Sequence, residues 1–321
     1  MPSKTWQHRL LPLVAAIGLL SNVQAAEDLT PAIPGVADAG SKIEFIKDGF
    51  DGTEGPIGLP DGSALFTETK ANRITRIGPD NSISTFLENT NGANGLAFTP
   101  SGELVAVQNL NPRVGVIFPA GKEKTLADKF EGTVFQRPND LVLAQNGNIY
   151  FSDIGTRSTP ENPNPPVSKP GVFHISPAGT LKRVAADIER PNGVQLSTDE
   201  KTLYVANTAG EHILAYDIGA DGSIGNKRNF AQLKGWSRSE NGWSSGADGL
   251  AVDAENRLYV ASNSGVEVFD AKGQALGVIP LPKKPQNLAF AGQDKKTLFV
   301  VGRGAAYKIA LKTPGYAGRA K

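Results

Sequence analysis

Six polar residues, Glu54, Asn94, Asn139, Asn192, Asp248 and Asn287, each stand seven positions ahead of a turn residue: Asp61, Ser101, Asn146, Asp199, Glu255 and Asp294. A short apolar run follows each anchor, and a second strand-like run follows each turn. Residues at one phase of a repeat fall at one level of a ring, so the spacing gathers two carboxylates and four carboxamides at one channel opening. Such oxygens are costly to take from water without partners. A cation satisfies them. Every donor is an oxygen, which suits Ca2+ first, with Mg2+, Mn2+ or Zn2+ as substitutes. The plainer alternative is that Asn or Asp before Gly forms turns, as at Asn94-Gly95, Asn192-Gly193 and Asp248-Gly249. Glu54-Gly55 and Asn139-Asp140 are poorer turn formers, yet they keep the phase.

The elements that must carry this ring are short strands. Arg137-Pro138-Asn139-Asp140 recurs as Arg190-Pro191-Asn192-Gly193, and both open a hydrophobic run. The first repeat reads as four strands: Gly55 to Leu59, Ala64 to Thr67, Arg73 to Ile77 and Ser82 to Leu87, with turns at Pro60-Asp61-Gly62 and Pro79-Asp80-Asn81. Successive anchors lie 40, 45, 53, 56 and 39 residues apart, in the range of propeller blades. The sixth repeat lacks its fourth strand, and Lys42 to Lys47, alternating around Phe45, stands in the phase of an outer strand. The expectation is an all-β chain forming a six-bladed β-propeller of four-stranded blades, the last closed by the N-terminal strand. A many-stranded β-sandwich would not explain six phased repeats plus one displaced strand. Insertions at Thr156 to Pro170 and Trp236 to Gly246 are placed at the channel mouth or on the surface.

Composition bounds the remaining choices. A chain of 321 residues with a formal net charge of +1 carries no field that would draw it to nucleic acid or a membrane surface. Lys4 and Arg9 precede an apolar stretch from Leu10 to Leu20 and the small-residue site Val23-Gln24-Ala25, which predicts a cleaved export signal over 1–26 and one domain over 27–321. The apolar stretch falls well below the roughly 20 residues a bilayer span needs. The expected location is the periplasm or medium of a bacterium, as a monomer. Cysteine is absent, which excludes thiolate nucleophiles and Cys metal sites.

Glu54-Gly55-Pro56, Arg137-Pro138-Asn139-Asp140, Arg190-Pro191-Asn192-Gly193, Asp248-Gly249-Leu250, Gly265 to Asp270 and Pro285 to Phe290 together resemble the markers of the senescence-marker-protein/gluconolactonase (regucalcin-like) family of six-bladed propellers. The resemblance runs from about Ile43 to Ile309. It implies that Glu54, Asn192 and Asp248 bind a catalytic divalent metal, that Asn139 contacts metal, substrate or both, and that Arg137 contacts substrate. It also implies hydrolysis of sugar or related lactones, with some relatives cleaving organophosphates. Bacterial members often carry a cysteine in the last repeat, which this chain lacks; no chemistry depends on it.

The expected reaction is water attack on a lactone carbonyl polarised by the ion. Asp248 is the first choice for the base that activates water and Glu54 the second. Asn139 and Asn94 are expected to hold sugar hydroxyls or the ring oxygen, and Arg137 a negative substrate or the carboxylate product; a structural role is the alternative for Arg137. His174 and His212 fall in third strands away from the ring, so no Ser-His-Asp arrangement is available. Asp153, in Ser152-Asp153, lies near the channel or forms a turn, and the turn is preferred. An esterase or phosphotriesterase using the same ion, and a non-catalytic sugar- or partner-binding propeller, are the competing functions.

Overall fold

Each repeat folds as an antiparallel sheet whose strands step outward in chain order. The computed structural model describes residues 28–156, 163–164, 167–240 and 242–319. Blade 1 comprises Thr53–Gly58, Ala64–Glu68, Arg73–Ile77 and Ile83–Glu88; blade 2, Ala93–Phe98, Leu104–Gln108, Arg113–Phe118 and Lys124–Ala127. Blade 3 comprises Pro138–Leu143, Ile149–Asp153, Gly171–Ile175 and Leu181–Ala185; blade 4, Pro191–Leu196, Thr202–Asn207, His212–Ile218 and Ile224–Gln232. Blade 5 comprises Leu250–Val252, Leu258–Ser262, Gly265–Phe269 and Ala275–Ile279. Blade 6 takes Asn287–Ala291, Thr297–Gly302 and Ala305–Ala310 from the end of the chain and its outer strand, Ile43–Lys47, from the beginning. Ile43 pairs with Ile309 and Phe45 with Tyr307, the two rings 5.7 Å apart. The molecule is a six-bladed β-propeller, closed as the displaced strand requires. The export signal expected over 1–26 lies outside the described residues, as does part of the 156–170 insertion.

The alternation of apolar residues along these strands becomes packing between blades. Among the described residues the buried side chains form six clusters, one in each gap between neighbours. Val105, Val107 and Val114 of blade 2 meet Leu141, Phe151 and Phe173 of blade 3, for example. Turns are set by short acceptors: Asp61 Oδ1 accepts Ser63 N at 2.9 Å, and Asn146, Asp199 and Asp294 do the same for the N–H two residues on. At the opposite end of the channel from the anchors, the chain's last stretch crosses four blades. Lys295 Nζ donates to Tyr316 O, Tyr316 N to Val252 O, Gln145 Nε2 to Tyr316 Oη, and Arg319 Nε to Gln195 Oε1.

A buried histidine joins blade 3 to blade 4. His174 stacks on Tyr150 at 5.0 Å and donates through Nε2 to Asn148 Oδ1 at 2.7 Å, while Tyr150 Oη donates to Gly222 O. Burial, then the charge of Lys182, push its pKa below the ordinary histidine value. The unfolded chain takes up that proton below pH about 6.5 and the folded chain resists it, so stability rises with pH through this window and is lost on acidification. We expect the urea midpoint to fall from pH 7 to pH 5, and His174→Phe to flatten that slope; an unchanged slope in the variant would remove His174 as the cause.

Candidate active site

The anchors stand where the six innermost strands converge, and every junction between neighbouring blades is closed at their level. Thr67 Oγ1 of blade 1 donates to Asn94 O of blade 2 at 3.1 Å, and Ser152 Oγ of blade 3 to Asn192 O of blade 4 at 2.6 Å. Val194 N donates to Asp140 Oδ2 across the same junction at 3.2 Å. Gly95 abuts Asp140, Gly193 abuts Asp248 and Gly249 abuts Asn287, each so closely that a Cβ would overlap backbone or side chain of the next blade. Asn287 Nδ2 completes the circle by donating to Glu54 Oε2 at 3.2 Å.

Local irregularity aims the anchors. The ladders between first and second strands slip between Glu54 and Ile57, Ala93 and Leu96, Pro138 and Leu141, and Pro191 and Val194. An extra residue at each place, at the anchor or one to two positions after it, bulges the strand and turns a side chain out of the ordinary pleat. In blades 1 to 4 the end of the second strand then pins the incoming loop. Glu68 Oε2 accepts Asp51 N, Gln108 Nε2 donates to Thr90 O, Asp153 accepts Gln136 N, Arg137 N and Gly155 N, and Asn207 Oδ1 accepts Arg190 N. Asp153 is therefore a fully buried staple under the Arg137 loop, and Ser152 is a tie between blades.

The anchors differ in what they still lack. Asn94 Oδ1, Asn192 Oδ1 and Asp248 Oδ1 are buried and meet no hydrogen-bond donor. Asn192 is oriented by Thr208: the Thr208 hydroxyl donates to Ala247 O at 2.8 Å and accepts from Asn192 Nδ2 at 3.1 Å, which leaves Asn192 Oδ1 free of donors. Glu54 is held by two carboxamides, Gln286 Nε2 to Oε1 at 3.3 Å and Asn287 Nδ2 to Oε2 at 3.2 Å. Burial, then the negative charge of Glu54, push Asp248 well above the usual carboxylate range, with Lys284 and Arg303 opposing. Glu54 and Asp248 thus act on each other through their charges, and the buried, donor-free oxygens of Asn94, Asn192 and Asp248 are of the type a hard cation takes. Among the described residues no three His, Cys, Asp or Glu side chains converge, so such an ion would rest on two carboxylates and carboxamide oxygens.

Asn139 is half-buried at the same level, and Arg137, two residues earlier, is half-buried with its backbone N fixed by Asp153. Asn287 does not belong to the set. Its Oδ1 accepts Leu288 N as Asp140 Oδ1 accepts Leu141 N, so it matches Asp140, and Gln286 holds the anchor phase. The parallel of Pro285-Gln286-Asn287 with Pro138-Asn139-Asp140 carries that register in the sequence. Lys284, which sequence reasoning missed, sits half-buried beside Gly246 with its pKa lowered by burial and then by Arg303. The Trp236 insertion forms a hairpin, Ser237–Ser239 with Gly242–Ser244, whose Trp236 and Trp243 stack at 5.4 Å. Ser244 Oγ and Ser245 N both donate to Thr208 O, so the hairpin shares its foundation with Asn192.

Residues 52–303 match the family described as the SMP-30/gluconolactonase/LRE-like region. The chain belongs to this family. It is 27% identical to a gluconolactonase of Zymomonas mobilis over 92% of this chain and 88% of that one. A solved structure described as a putative gluconolactonase superposes with TM-score 0.77 at 27% identity, covering 89% of this chain and 99% of that one. A gluconolactonase from Xanthomonas campestris gives TM-score 0.74 at 26% identity, with 89% and 97% covered. Family members thus share the whole propeller.

Proposed function

We propose that the protein hydrolyses a sugar-type lactone to its hydroxy acid, with Glu54, Asn139, Asn192 and Asp248 holding a divalent cation, Ca2+ by the hardness of the donors. The reading is supported by relatives that are themselves gluconolactonases. The observation that carries it is the set of buried, donor-free oxygens on Asn94, Asn192 and Asp248. Bound there, the cation supplies Lewis-acid polarisation of the lactone carbonyl and stabilises the developing oxyanion.

The chain's own groups do the rest. Asp248 is the better base, because both Glu54 oxygens already accept N–H groups while Asp248 Oδ1 accepts none. It takes a proton as the water oxygen bonds to the carbonyl carbon, and returns it to the ring oxygen as the ester bond breaks. Glu54, fixed by Gln286 and Asn287, keeps its geometry through the cycle. Asn94 and Asn139 hold substrate hydroxyls, and Arg137 stands ready for the carboxylate product. The protein acts as an exported monomer in the periplasm or medium.

Acid release from a set of lactones, measured after chelation and after adding back Ca2+, Mg2+, Mn2+ or Zn2+, tests this reading. Turnover of esters or phosphotriesters but of no lactone would reassign the substrate; full lactone turnover in chelator would remove the cation. Asn192→Ala deletes one neutral oxygen from a site whose other members sit on separate blades. It is expected to weaken Ca2+ binding by at least about tenfold with the fold intact, read by calorimetry and circular dichroism.

A further inference from the structure

Three cations around the site form no ion pair among the described residues. Lys284 is half-buried, and its ammonium forms no ion pair or hydrogen bond with any described residue, although lysines in such surroundings ordinarily find an acceptor. Its position is fixed: a Cβ on Gly246 would lie 2.5 Å from Lys284 Nζ, which sets the ammonium at the foot of the tryptophan hairpin, two residues before Asp248. Arg303 and Arg190 act on the same ammonium through their charges. Arg303 sits in the turn between Thr297–Gly302 and Ala305–Ala310, with its backbone N held by Gln286 Oε1 at 2.7 Å. Arg190 stands two residues before Asn192, with its backbone N held by Asn207 Oδ1. Both side chains are exposed and free of ion pairs among the described residues. By contrast, Lys283 next door pairs with Asp48 at 2.5 Å.

A divalent cation in the ring would neutralise Glu54 and Asp248, while Asp140, the third acid near them, is held by Leu141 N and Val194 N; Lys284, Arg303 and Arg190 would then stand without an ion-pair partner on one side of the mouth. Like charges gathered without partners at the opening of a site attract an anion and are organised when it arrives. We infer that Lys284, with Arg303 and Arg190 around it, receives a second carboxylate on the substrate, so that the preferred lactone is that of a sugar diacid and Lys284 determines this specificity. The neutral ring of the lactone then lies between the ring oxygens and the hairpin, and its free carboxylate lies toward blades 4 to 6.

The inference rests on the lactonase reading for its substrate, but binding tests it without turnover. Calorimetry on the Ca2+-loaded full chain compares glucarate, a dianion, with gluconate, a monoanion, in wild type, Lys284→Met and the control Lys283→Met. A charge-assisted contact predicts that wild type prefers glucarate by about tenfold or more. Lys284→Met should bring the affinity ratio close to one, and Lys283→Met should leave it unchanged. The lactones of the two acids should show the same change in the ratio of their kcat/KM values. Equal binding of the two acids by wild type, or a ratio undisturbed in Lys284→Met, overturns the inference. A glucarate preference without hydrolysis of any lactone would sink the lactonase reading and leave the carboxylate site standing; turnover without preference would do the reverse.

Discussion

Asp248→Asn should lower kcat for lactone hydrolysis by about 10^2 to 10^4, the range that a positioned general base contributes, with the fold unchanged. The substitution is nearly isosteric, so the junction with Gly193 survives. It removes the proton acceptor whose Oδ1 stands free of donors. It also removes a charge that the cation-free protein holds at a cost, because burial and Glu54 both raise the Asp248 pKa. A carboxyl whose folded pKa is raised binds its proton more tightly in the native state, so the native state loses stability as pH rises above the unfolded value. At neutral pH in chelator the variant should therefore melt higher than wild type, while in Ca2+ the advantage should shrink or reverse. Turnover within tenfold of wild type, with normal circular dichroism, would transfer the base role elsewhere, Glu54 being next. A lower melting point in chelator would show that Asp248 is structural.

The second large effect belongs to a residue with no side chain. Gly55 has φ of +48°, and a Cβ there would overlap the Asn94 carbonyl oxygen, a backbone atom that cannot swing away. Gly55→Ala combines a left-handed backbone penalty with overpacking at the junction of blades 1 and 2, and should cost about 2–5 kcal/mol. For a chain of this size that lowers Tm by roughly 5–15 °C. Gly102→Ala provides the contrast: its φ is +83°, yet nothing lies within 4 Å of the added carbon, so only the backbone penalty of about 1 kcal/mol applies. Equal losses in the two variants would show that conformation alone matters. A much larger loss at Gly55, together with weakened Ca2+ binding, would show that the anchors depend on close approach of the strands.

The propeller was legible because each blade repeats a local grammar that no long-range contact has to create. Apolar runs, turn acceptors such as Asp61 and Asn146, and the offset between anchor and turn are all read along the chain. The one slip in phase has a local cause. The turn after the first strand opens five residues beyond Glu54, Asn94, Asn139, Asn192 and Asp248, at Leu59, Thr99, Ala144, Ser197 and Asp253, but at Gly292 in blade 6. Counted from Gln286 that strand is one residue longer, so a constant offset lands on Asn287. Other parts of the site were beyond any local pattern. Lys284 is conspicuous only beside Gly246 and Asp248, which lie far away in sequence, and lysines are common on surfaces. The orientation of Asn192 depends on a hydroxyl, Thr208, in the turn just past the end of the next strand. Asp153 forms the turn expected of it, its Oδ1 accepting Gly155 N, and also staples the Arg137 loop through Gln136 N and Arg137 N, a second role visible only once Pro138 is paired with it.

Ring closure has a consequence for the order of events in the cell. Ile43–Lys47 is made before any blade exists, and its partner, Ala305–Ala310, is the last strand among the described residues. Until Ala305–Ala310 has been made, the earliest strand has no edge to join and the final gap between blades stays open to water. A nascent chain of this design therefore leaves its closing seam unmade until the far end of the sequence is available, however early the local blades form. The ring tightens only after its final strand is free to meet the first.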